Sequence, residues 1–261
     1  MVKDSFMESD TINQAVVVKD LEKRFGSFVA VNRISFDVAR GEIFGFLGPN
    51  GAGKSTTIKM LCGILLPSSG TGSVGGFNIL REQNRIKQTI GYMSQRFSLY
   101  DDLTVEENID FYTGIYGVGA DKRKQREDWV IEMAGLEEFT NHLTKTLPVG
   151  FKQRLSLGCA LLHEPKIIFL DEPTSGVDPI ARKNFWNLIK QLAAAGVTVF
   201  VTTHYMDEAE NCDRLALIYK GSIIAMGTSS QLKQKLSTDV KPSLEDVFVS
   251  LIENYDRQAN Q

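Results

Sequence analysis

The stretch 48–55 carries residue types that bind phosphate. Its letters, GPNGAGKS, fit the spacing G-x-x-x-x-G-K-[ST] between a strand-like run and a helical pattern. Glycines let backbone N–H groups surround phosphate oxygens, and the following helix adds the dipole of its N-terminus. We expect Lys54 to reach the β- and γ-phosphates and the Ser55 hydroxyl to bind Mg²⁺. The flanking strand and helix disfavour the alternative, a glycine-rich turn with a solvated lysine. The predicted nucleotide-binding residues here are Gly48, Pro49, Asn50, Gly51, Ala52, Gly53, Lys54, Ser55 and Thr56.

Two adjacent carboxylates follow the apolar run IIFL at 167–170. Asp171 would stand at the C-terminal end of a buried strand, where it can hold the Mg²⁺ shell. Glu172 would then be the general base that orients and activates water. The two acids could instead cap the next helix. Because the chain also has a phosphate loop, we assign them to the same site and predict hydrolysis of the nucleotide.

Strand-like and helical patterns alternate around these motifs. Continuous apolar strands separated by helices indicate a mainly parallel sheet covered on both faces, an α/β fold. The region 97–162 has only helical patterns and predicts an inserted α-helical lobe; a capping box at Thr104 and Glu107 marks the start of its first helix. The polar, unpatterned residues 1–13 predict a tail or linker. The strand-like runs are 15–21, 34–39, 42–47, 89–95, 166–173, 197–204 and 214–221.

Composition limits the classes of protein that fit. With 29 Lys and Arg against 32 Asp and Glu, the net charge is −3, which argues against a broad nucleic-acid surface. Three cysteines without metal-like spacing favour a reduced, cytosolic chain with buried thiols. No apolar run approaches the roughly 20 residues that cross a bilayer, and no signal peptide is evident. Any membrane role is therefore expected to be peripheral.

Four further stretches are similar to elements of one family. Gln95 resembles the Q-loop glutamine that contacts metal, attacking water and a transport partner. Asp178, in SGVDP, resembles the D-loop aspartate that crosses a dimer interface. His204 resembles the switch histidine at the γ-phosphate, and Phe25 stands where an aromatic ring stacks on adenine. A lone histidine is more often structural, and a lone phenylalanine more often belongs to a core. In this order, the chain resembles the ATP-binding domain of ABC transporters.

The resemblance covers about 15–251 and implies more than the residues alone. It implies a P-loop NTPase core, an antiparallel β lobe and a helical lobe within an ABC-type domain at 14–261. Its cofactors would be ATP and Mg²⁺. Two domains would pair head to tail, with two ATP molecules between them. The segment 243–252, SLEDVFVSLI, is similar to the ending of drug- and lipid-export ATPases. The implied roles are catalysis for Lys54, Gln95, Glu172 and His204, metal binding for Ser55, Gln95 and Asp171, and ATP contact in trans for Gly150 and Asp178.

The stretch LPVGFKQR departs from the family's signature, L-S-G-G-[Q/M]-x-x-R. The serine that would donate a hydroxyl to the partner's ATP is Pro148, and the first glycine is Val149. On one account the altered signature no longer supports ATP hydrolysis at the opposing site. On another, free N–H groups near Gly150 and the helix dipole still meet phosphate, and Phe151 adds an apolar contact across the dimer. The elements for the chain's own ATP are intact. We therefore expect a homodimer or, preferably, a heterodimer with a second ATPase domain, as in the second half of tandem-ATPase exporters.

The expected partner is a membrane permease, with the chain cytoplasmic and peripheral on the membrane's cytoplasmic face and no nucleic acid bound. The permease would dock at the surface around Phe97, Leu99 and Tyr100, unless these side chains serve inter-lobe packing. Two alternatives stay open: a non-transport ABC ATPase that acts on ribosomes or DNA, and a regulatory domain that binds ATP with little hydrolysis. The first usually has two ATPase domains, a coiled coil or basic arms. Intact Glu172 and His204 argue against the second.

Overall fold

The apolar runs beside the phosphate loop form a six-stranded sheet in the computed structural model, which describes residues 13–234 and 242–259. Its strands lie in the order β10-β9-β3-β8-β7-β6. Neighbours are parallel except β9 and β10, which pair antiparallel. Every residue of β3, β7 and β8 is buried, as expected for strands covered on both faces. The strands are β3 (Ile43–Leu47), β6 (Ile90–Met93), β7 (Ile167–Asp171), β8 (Thr198–Thr203), β9 (Arg214–Tyr219) and β10 (Ser222–Gly227).

A second, four-stranded sheet is entirely antiparallel and confirms the β lobe. Its order is β2-β1-β4-β5, and β1 and β2 form a hairpin whose last pair is Phe25 and Phe28. The hairpin turns at Gly26, which has a φ of 59°. The strands are β1 (Gln14–Phe25), β2 (Phe28–Ala39), β4 (Ser69–Val74) and β5 (Phe77–Asn78).

A cluster of phenylalanine rings joins the two sheets. Phe36, from the β lobe, stacks on Phe44 of the central sheet with ring centroids 5.6 Å apart. The Phe200 ring lies 5.4–6.0 Å from four other rings of the cluster. Aromatic pairs at these separations contribute about 0.5–1.5 kcal/mol each beyond their buried area. The rings therefore fix the β lobe against the strand that leads into the phosphate loop. The cluster consists of Phe36, Phe44, Phe46, Phe169 and Phe200.

Eight α-helices complete the described part of the chain. Three of them, with a buried core of their own, form the helical lobe inside the predicted region 97–162. The predicted capping box is confirmed, since the Thr104 hydroxyl accepts from the Glu107 amide and the Glu107 carboxylate accepts from the Thr104 amide. Residues 1–12 of the predicted tail lie outside the described residues. The helices are α1 (Lys54–Leu61), α2 (Gln83–Thr89), α3 (Val105–Ile115), α4 (Ala120–Ala134), α5 (Val149–Leu161), α6 (Pro179–Ala194), α7 (Ser229–Gln234) and α8 (Leu244–Ala259).

His163 follows α5, and its ring packs between the Ile90 backbone and Tyr116. Its Nε2 donates to the Ile90 carbonyl at 3.0 Å, and the ring stacks on Tyr116 at 4.0 Å. Nδ1 is buried without a hydrogen-bond partner among the described residues. Burial is the main cause that lowers the pKa of His163. The hydrogen bond to the Ile90 carbonyl opposes this shift, and the nearby Arg126 charge adds a smaller lowering effect.

We predict that acidification destabilises the fold through His163. Because the pKa is lower in the folded state, the unfolded chain binds more protons as pH falls below about 6.5, the ordinary histidine value. The His163 contribution is present at pH 7.5 and is lost as pH falls toward the folded pKa, with a slope of at most about 1.4 kcal/mol per pH unit for one proton. Urea unfolding at pH 7.5 and 5.5 measures this. His163→Gln, which keeps a donor for Ile90, should show a smaller difference; an equal difference would contradict the prediction.

Candidate functional site

The phosphate loop joins β3 to α1, and two of its glycines are required by close backbone packing. A Cβ on Gly48 would lie 2.2 Å from the Ile218 carbonyl oxygen. Gly53 has a φ of 106°, and a Cβ there would lie 2.5 Å from the Ala30 carbonyl oxygen. Gly53 caps α1, so the helix N-terminus faces the inside of the loop. The loop therefore presents backbone and a helix N-terminus, the arrangement that suits an anion.

Lys54 folds back over this loop instead of reaching solvent. Its side chain is 3% exposed, and its Nζ donates to the Gly48 and Pro49 carbonyls at 2.8 and 3.2 Å. The same Nζ lies 2.9 Å from Glu172 Oε1. A buried ammonium group needs such partners. The lysine thus bridges the phosphate loop and the end of β7.

Asp171 lies at the other side of the loop, among hydroxyl groups. Its Oδ1 accepts from Ser55 at 3.0 Å and from Thr202 at 2.8 Å. Burial raises the pKa of Asp171 above its ordinary value, and these two hydrogen bonds oppose the shift. Carboxylate and hydroxyl oxygens are ligands that Mg²⁺ accepts, so this pair fits the metal predicted from the sequence. Among the described residues, no group of three or more His, Cys, Asp or Glu side chains forms a metal cluster.

Glu172 is the point at which four predicted residues meet. Its Oε1 contacts Lys54, while its Oε2 accepts from Gln95 Nε2 at 3.2 Å and lies 3.2 Å from His204 Nδ1. The histidine contact is close but lacks hydrogen-bond alignment. Glu172 has a φ of 47°, uncommon for a residue with a side chain. Its amide donates to the Thr202 hydroxyl at 2.9 Å, which holds the bend.

A cleft of about 480 Å³ opens above the loop and ends at the tip of the β1–β2 hairpin. Phe25 and Phe28 line this end, and these two residues are 51% and 63% exposed. Exposed rings beside a phosphate loop provide a surface for a flat base. Lys23 Nζ lies 5.1 Å from the centre of the Phe25 ring. The cleft therefore joins the predicted adenine end to the predicted phosphate end.

The variant signature begins α5 without a side-chain cap. Pro148 is the N-cap, and its carbonyl accepts from the Phe151 amide at 3.0 Å. That amide is therefore not free for phosphate; Val149 and Gly150 are the first two helical residues, and Val149 is 47% exposed. The structure places no hydroxyl group from this stretch at the helix N-terminus. Among the described residues, this stretch offers an anion the backbone N–H groups of Val149 and Gly150.

Phe151 is half-buried and packs within its own chain, and the expected contact across a dimer stays a prediction. Its ring packs against Phe139, with centroids 4.8 Å apart, and the Arg154 guanidinium lies 4.5 Å from its centre. Gly150 has a packing role as well, because a Cβ there would lie 2.9 Å from Ala181 Cβ on α6. Two signature positions therefore serve the chain's own fold.

Asp178 caps α6 and does not touch the cleft of its own chain. Its Oδ1 accepts from the amides of Ile180 and Ala181, both at 3.0 Å. This is the usual N-cap geometry, followed by proline at the first helical position. A carboxylate so engaged leaves its other oxygen available, and Ile180 beside it is 75% exposed.

The predicted docking surface divides into buried and exposed members. Phe97 and Leu99 are half-buried and pack against the sheet core and the helical lobe, respectively. Tyr100 is 48% exposed, and its ring meets the edge of Phe111 at 4.6 Å. Ile115, one turn further along α3, is 59% exposed. Packing between lobes thus accounts for the first two residues, and the exposed surface continues along α3.

Comparison with known families identifies the chain. The family model described as "ABC transporter" matches residues 31–175, more than half of the sequence. The chain belongs to the ABC transporter family. The match begins in β2, includes the phosphate loop and the variant signature, and ends just after Glu172. The matched residues include the phosphate loop, Gln95 and Glu172 of the cleft, whereas Phe25 and Phe28 precede them.

Curated relatives agree with this ABC assignment. The chain is 49% identical over 245 residues to the "Probable multidrug ABC transporter ATP-binding protein YbhF" of Escherichia coli (strain K12), covering 93% of the chain and 42% of that protein. It therefore spans less than half the length of that relative. It is 42% identical over 222 residues to the "Linearmycin resistance ATP-binding protein LnrL" of Bacillus subtilis (strain 168), covering 85% of the chain and 71% of that protein.

Solved ABC structures share the fold. One described as "Structure of ATP binding subunit of ABC transporter" has a TM-score of 0.81 at 28% identity, covering 91% of this chain and 99% of that one. Another, a dimeric post-hydrolysis state of the ATP-binding cassette MJ0796 bound to ADP and Pi, has a TM-score of 0.74 at 26% identity, covering 82% and 98%. These matches confirm the predicted α/β fold with its P-loop core. In the described residues of this ABC chain, no helix is both long and apolar enough to cross a membrane.

Sequence reasoning missed two residues of the site. Phe28 lines the cleft beside Phe25, and an aromatic residue across a glycine turn from the predicted stacking residue was the available signal. Thr202 bonds both Asp171 and the Glu172 amide. Its only sequence signal is its place two residues before His204, near the end of a strand.

Proposed function

We propose that this chain binds MgATP in the cleft and hydrolyses it as one of two ABC ATPase domains that drive export through a separate membrane permease. The observation that carries the proposal is the set of contacts at Glu172, where one carboxylate meets Lys54, Gln95 and His204 beside the phosphate loop. The names of the two relatives refer to multidrug transport and linearmycin resistance, which support export as the direction of transport.

Each predicted residue has a separate task in this proposal. The phosphate loop and Lys54 hold the β- and γ-phosphates, and Phe25 and Phe28 contact the adenine. Ser55 and Asp171, with Gln95, would hold Mg²⁺, which when bound neutralises phosphate charge. Glu172 accepts a proton from the attacking water, and Gln95 positions that water. His204, at the open side of Glu172, contacts the γ-phosphate.

The pairing is proposed to be asymmetric. A head-to-tail dimer would place α5 of one chain at the ATP of the other, where Pro148 supplies no hydroxyl group. ATP bound by this chain would be hydrolysed against the fuller signature of a different domain. ATP bound by that partner would turn over slowly against Pro148 and Val149. We place the chain at the cytoplasmic face of the membrane, with the surface along α3 nearest the permease.

Nucleotide binding tests the proposal without a partner, because the cleft belongs to one chain. Lys54→Ala should lower the affinity for MgATP about ten- to hundredfold, since a hydrogen bond to a charged group is worth about 1.5–3 kcal/mol. Isothermal titration calorimetry of the purified chain measures this. Lys87→Ala, at an exposed lysine of α2, is the matched control and should bind normally. Absence of MgATP binding by the unaltered chain would refute the proposed function.

A further inference from the structure

Glu208 is a buried carboxylate in the loop that follows His204. It begins a short 3₁₀ helix and is only 2% exposed. Its Oε1 accepts from the Thr174 hydroxyl at 2.5 Å, while Oε2 has no hydrogen-bond partner among the described residues. Burying a carboxylate is costly unless other groups fix and satisfy it. A buried carboxylate at this position indicates a structural or functional role, because it cannot contribute to solubility or surface charge.

Thr174 ties this acid to the segment that leaves the catalytic carboxylate. It lies two residues after Glu172 and is 1% exposed. The turn around it is closed by main-chain bonds, from the Ser175 amide to the Glu172 carbonyl and from the Val177 amide to the Thr174 carbonyl, both 3.2 Å. The Thr174 hydroxyl is thus fixed relative to Glu172, and Glu208 is fixed to that hydroxyl.

Arg182 provides a second connection to the same loop, from the first turn of α6. Its amide donates to the Asp178 carbonyl at 2.9 Å. Its guanidinium group lies 4.2 Å from the centre of the Tyr205 ring, and its Nε lies 3.5 Å from Glu208 Oε1. Arg182 Nη1 is also 3.6 Å from Asp207 Oδ2. One arginine therefore contacts three of the four residues that follow His204.

Few direct contacts fix the position of the His204 side chain. Its side chain is 29% exposed, and Nδ1 approaches Glu172 without hydrogen-bond alignment. The ring rests on Tyr205, with centroids 4.1 Å apart, and the Tyr205 amide donates to the Thr203 hydroxyl at 3.0 Å. Its placement therefore depends on the loop 204–208, which Arg182 and Thr174 hold from one side.

We propose that Thr174, Arg182 and Glu208 form a brace that positions His204 against Glu172 and links both to Asp178. The inference rests on the proposed hydrolytic function. All three act as positioning residues, because none of them lines the cleft. A displacement of Asp178 at a dimer interface would be transmitted through Arg182 to the loop 204–208. Pairing of two ATPase domains would therefore change the position of His204.

Two substitutions at Thr174 separate positioning from packing. Thr174→Val keeps the shape and removes the hydroxyl donor, whereas Thr174→Ser keeps the donor. The chain has three histidines, so the ring resonances of His142, His163 and His204 can be followed by NMR. We expect Thr174→Val to shift the His204 resonance and leave the other two in place, and Thr174→Ser to leave all three in place. An unchanged His204 resonance in folded Thr174→Val would overturn the brace, whether or not the chain hydrolyses ATP.

Phosphate release with Thr174→Val tests the consequence for hydrolysis. The turnover number should fall about ten- to hundredfold, the scale of an ångström-level misplacement, with little change in MgATP affinity. Thr174→Ser should restore turnover. In a His204→Ala background, Thr174→Val should cause no further loss, because its effect passes through the histidine. An equal loss in both backgrounds, or the same loss with serine, would refute the proposal.

Thr89→Val, which removes an exposed hydroxyl bonded within α2, is the control. Absence of MgATP binding by the unaltered chain would instead refute the proposed function, and the NMR result would stand separately.

Discussion

Glu172→Gln is expected to lower the turnover number for ATP hydrolysis by about a hundred- to ten-thousandfold, the usual contribution of a positioned general base. The amide has almost the same shape as the carboxylate, so the contact with Gln95 can persist while the proton acceptor is lost. Affinity for MgATP should be retained or increased, because glutamine no longer neutralises Lys54 in the unliganded cleft. Phosphate release and calorimetric titration measure the two quantities separately.

Glu42→Gln provides the matched control. Glu42 is also buried, and its Oε1 pairs with Arg214 Nε at 2.5 Å, but it lies outside the cleft. This substitution should affect unfolding more than turnover. If Glu172→Gln retained most of the hydrolysis rate in a folded protein, another group would have to accept the proton. The assignment of Glu172 would then be wrong, although binding of MgATP could still hold.

Restoring the two altered signature residues is expected to increase hydrolysis at the opposing site about ten- to hundredfold. Pro148→Ser with Val149→Gly would return a hydroxyl group and a flexible first turn to the start of α5. One hydrogen bond to a charged group is worth about 1.5–3 kcal/mol, which gives this range. The gain should appear in turnover by the dimer, and the affinity of each monomer for MgATP should stay the same.

A mixing experiment assigns that gain to the site in trans. The first chain is unaltered, with an intact cleft and with Pro148 and Val149 in its signature. The second chain carries Glu172→Gln together with the restored signature. Only the mixed dimer then combines an intact Glu172 with a restored signature. Turnover of the mixture should exceed that of either chain alone. If the mixture were no faster than the unaltered chain, the hydroxyl group would not limit hydrolysis, and the preference for a different partner would lose its basis.

The central sheet and both carboxylates could be predicted because their signals are local. Fully apolar strands separated by helices specify buried parallel strands, and a strand that ends in two acids brings those acids to the sheet edge. The antiparallel lobe was harder, since β4 has the sequence SGTGSV and shows no apolar alternation. Gly70 in that strand is required because a Cβ would lie 2.2 Å from the Asp20 carbonyl oxygen. Periodicity does not reveal such a contact, and only the family resemblance predicted the lobe.

Residues contributed by a neighbouring strand were beyond sequence reasoning. Thr202 pairs with Asp171 across β7 and β8, and that register depends on how two distant segments align. The bend at Glu172 was equally hidden, because nothing in the letters indicates a φ of 47°. Phe151 belongs to the signature stretch, yet its aromatic neighbour Phe139 lies outside that stretch, in the turn after α4. Local motifs thus indicated which groups come together beside the phosphate loop, and tertiary packing decided how these groups are held.

Because Gly150 packs closely against Ala181, the glycine at this signature position has a structural explanation of its own. A glycine is needed there for α5 to approach α6, whether or not any nucleotide ever lies against the helix. Selection for folding alone would therefore preserve Gly150. Pro148 and Val149 have no such constraint in the described structure. These two positions would be free to change once the opposing ATP no longer had to be hydrolysed. Counting the retained letters of a signature would overstate the residual function of a degenerating site. The informative positions are those whose side chains the fold does not need.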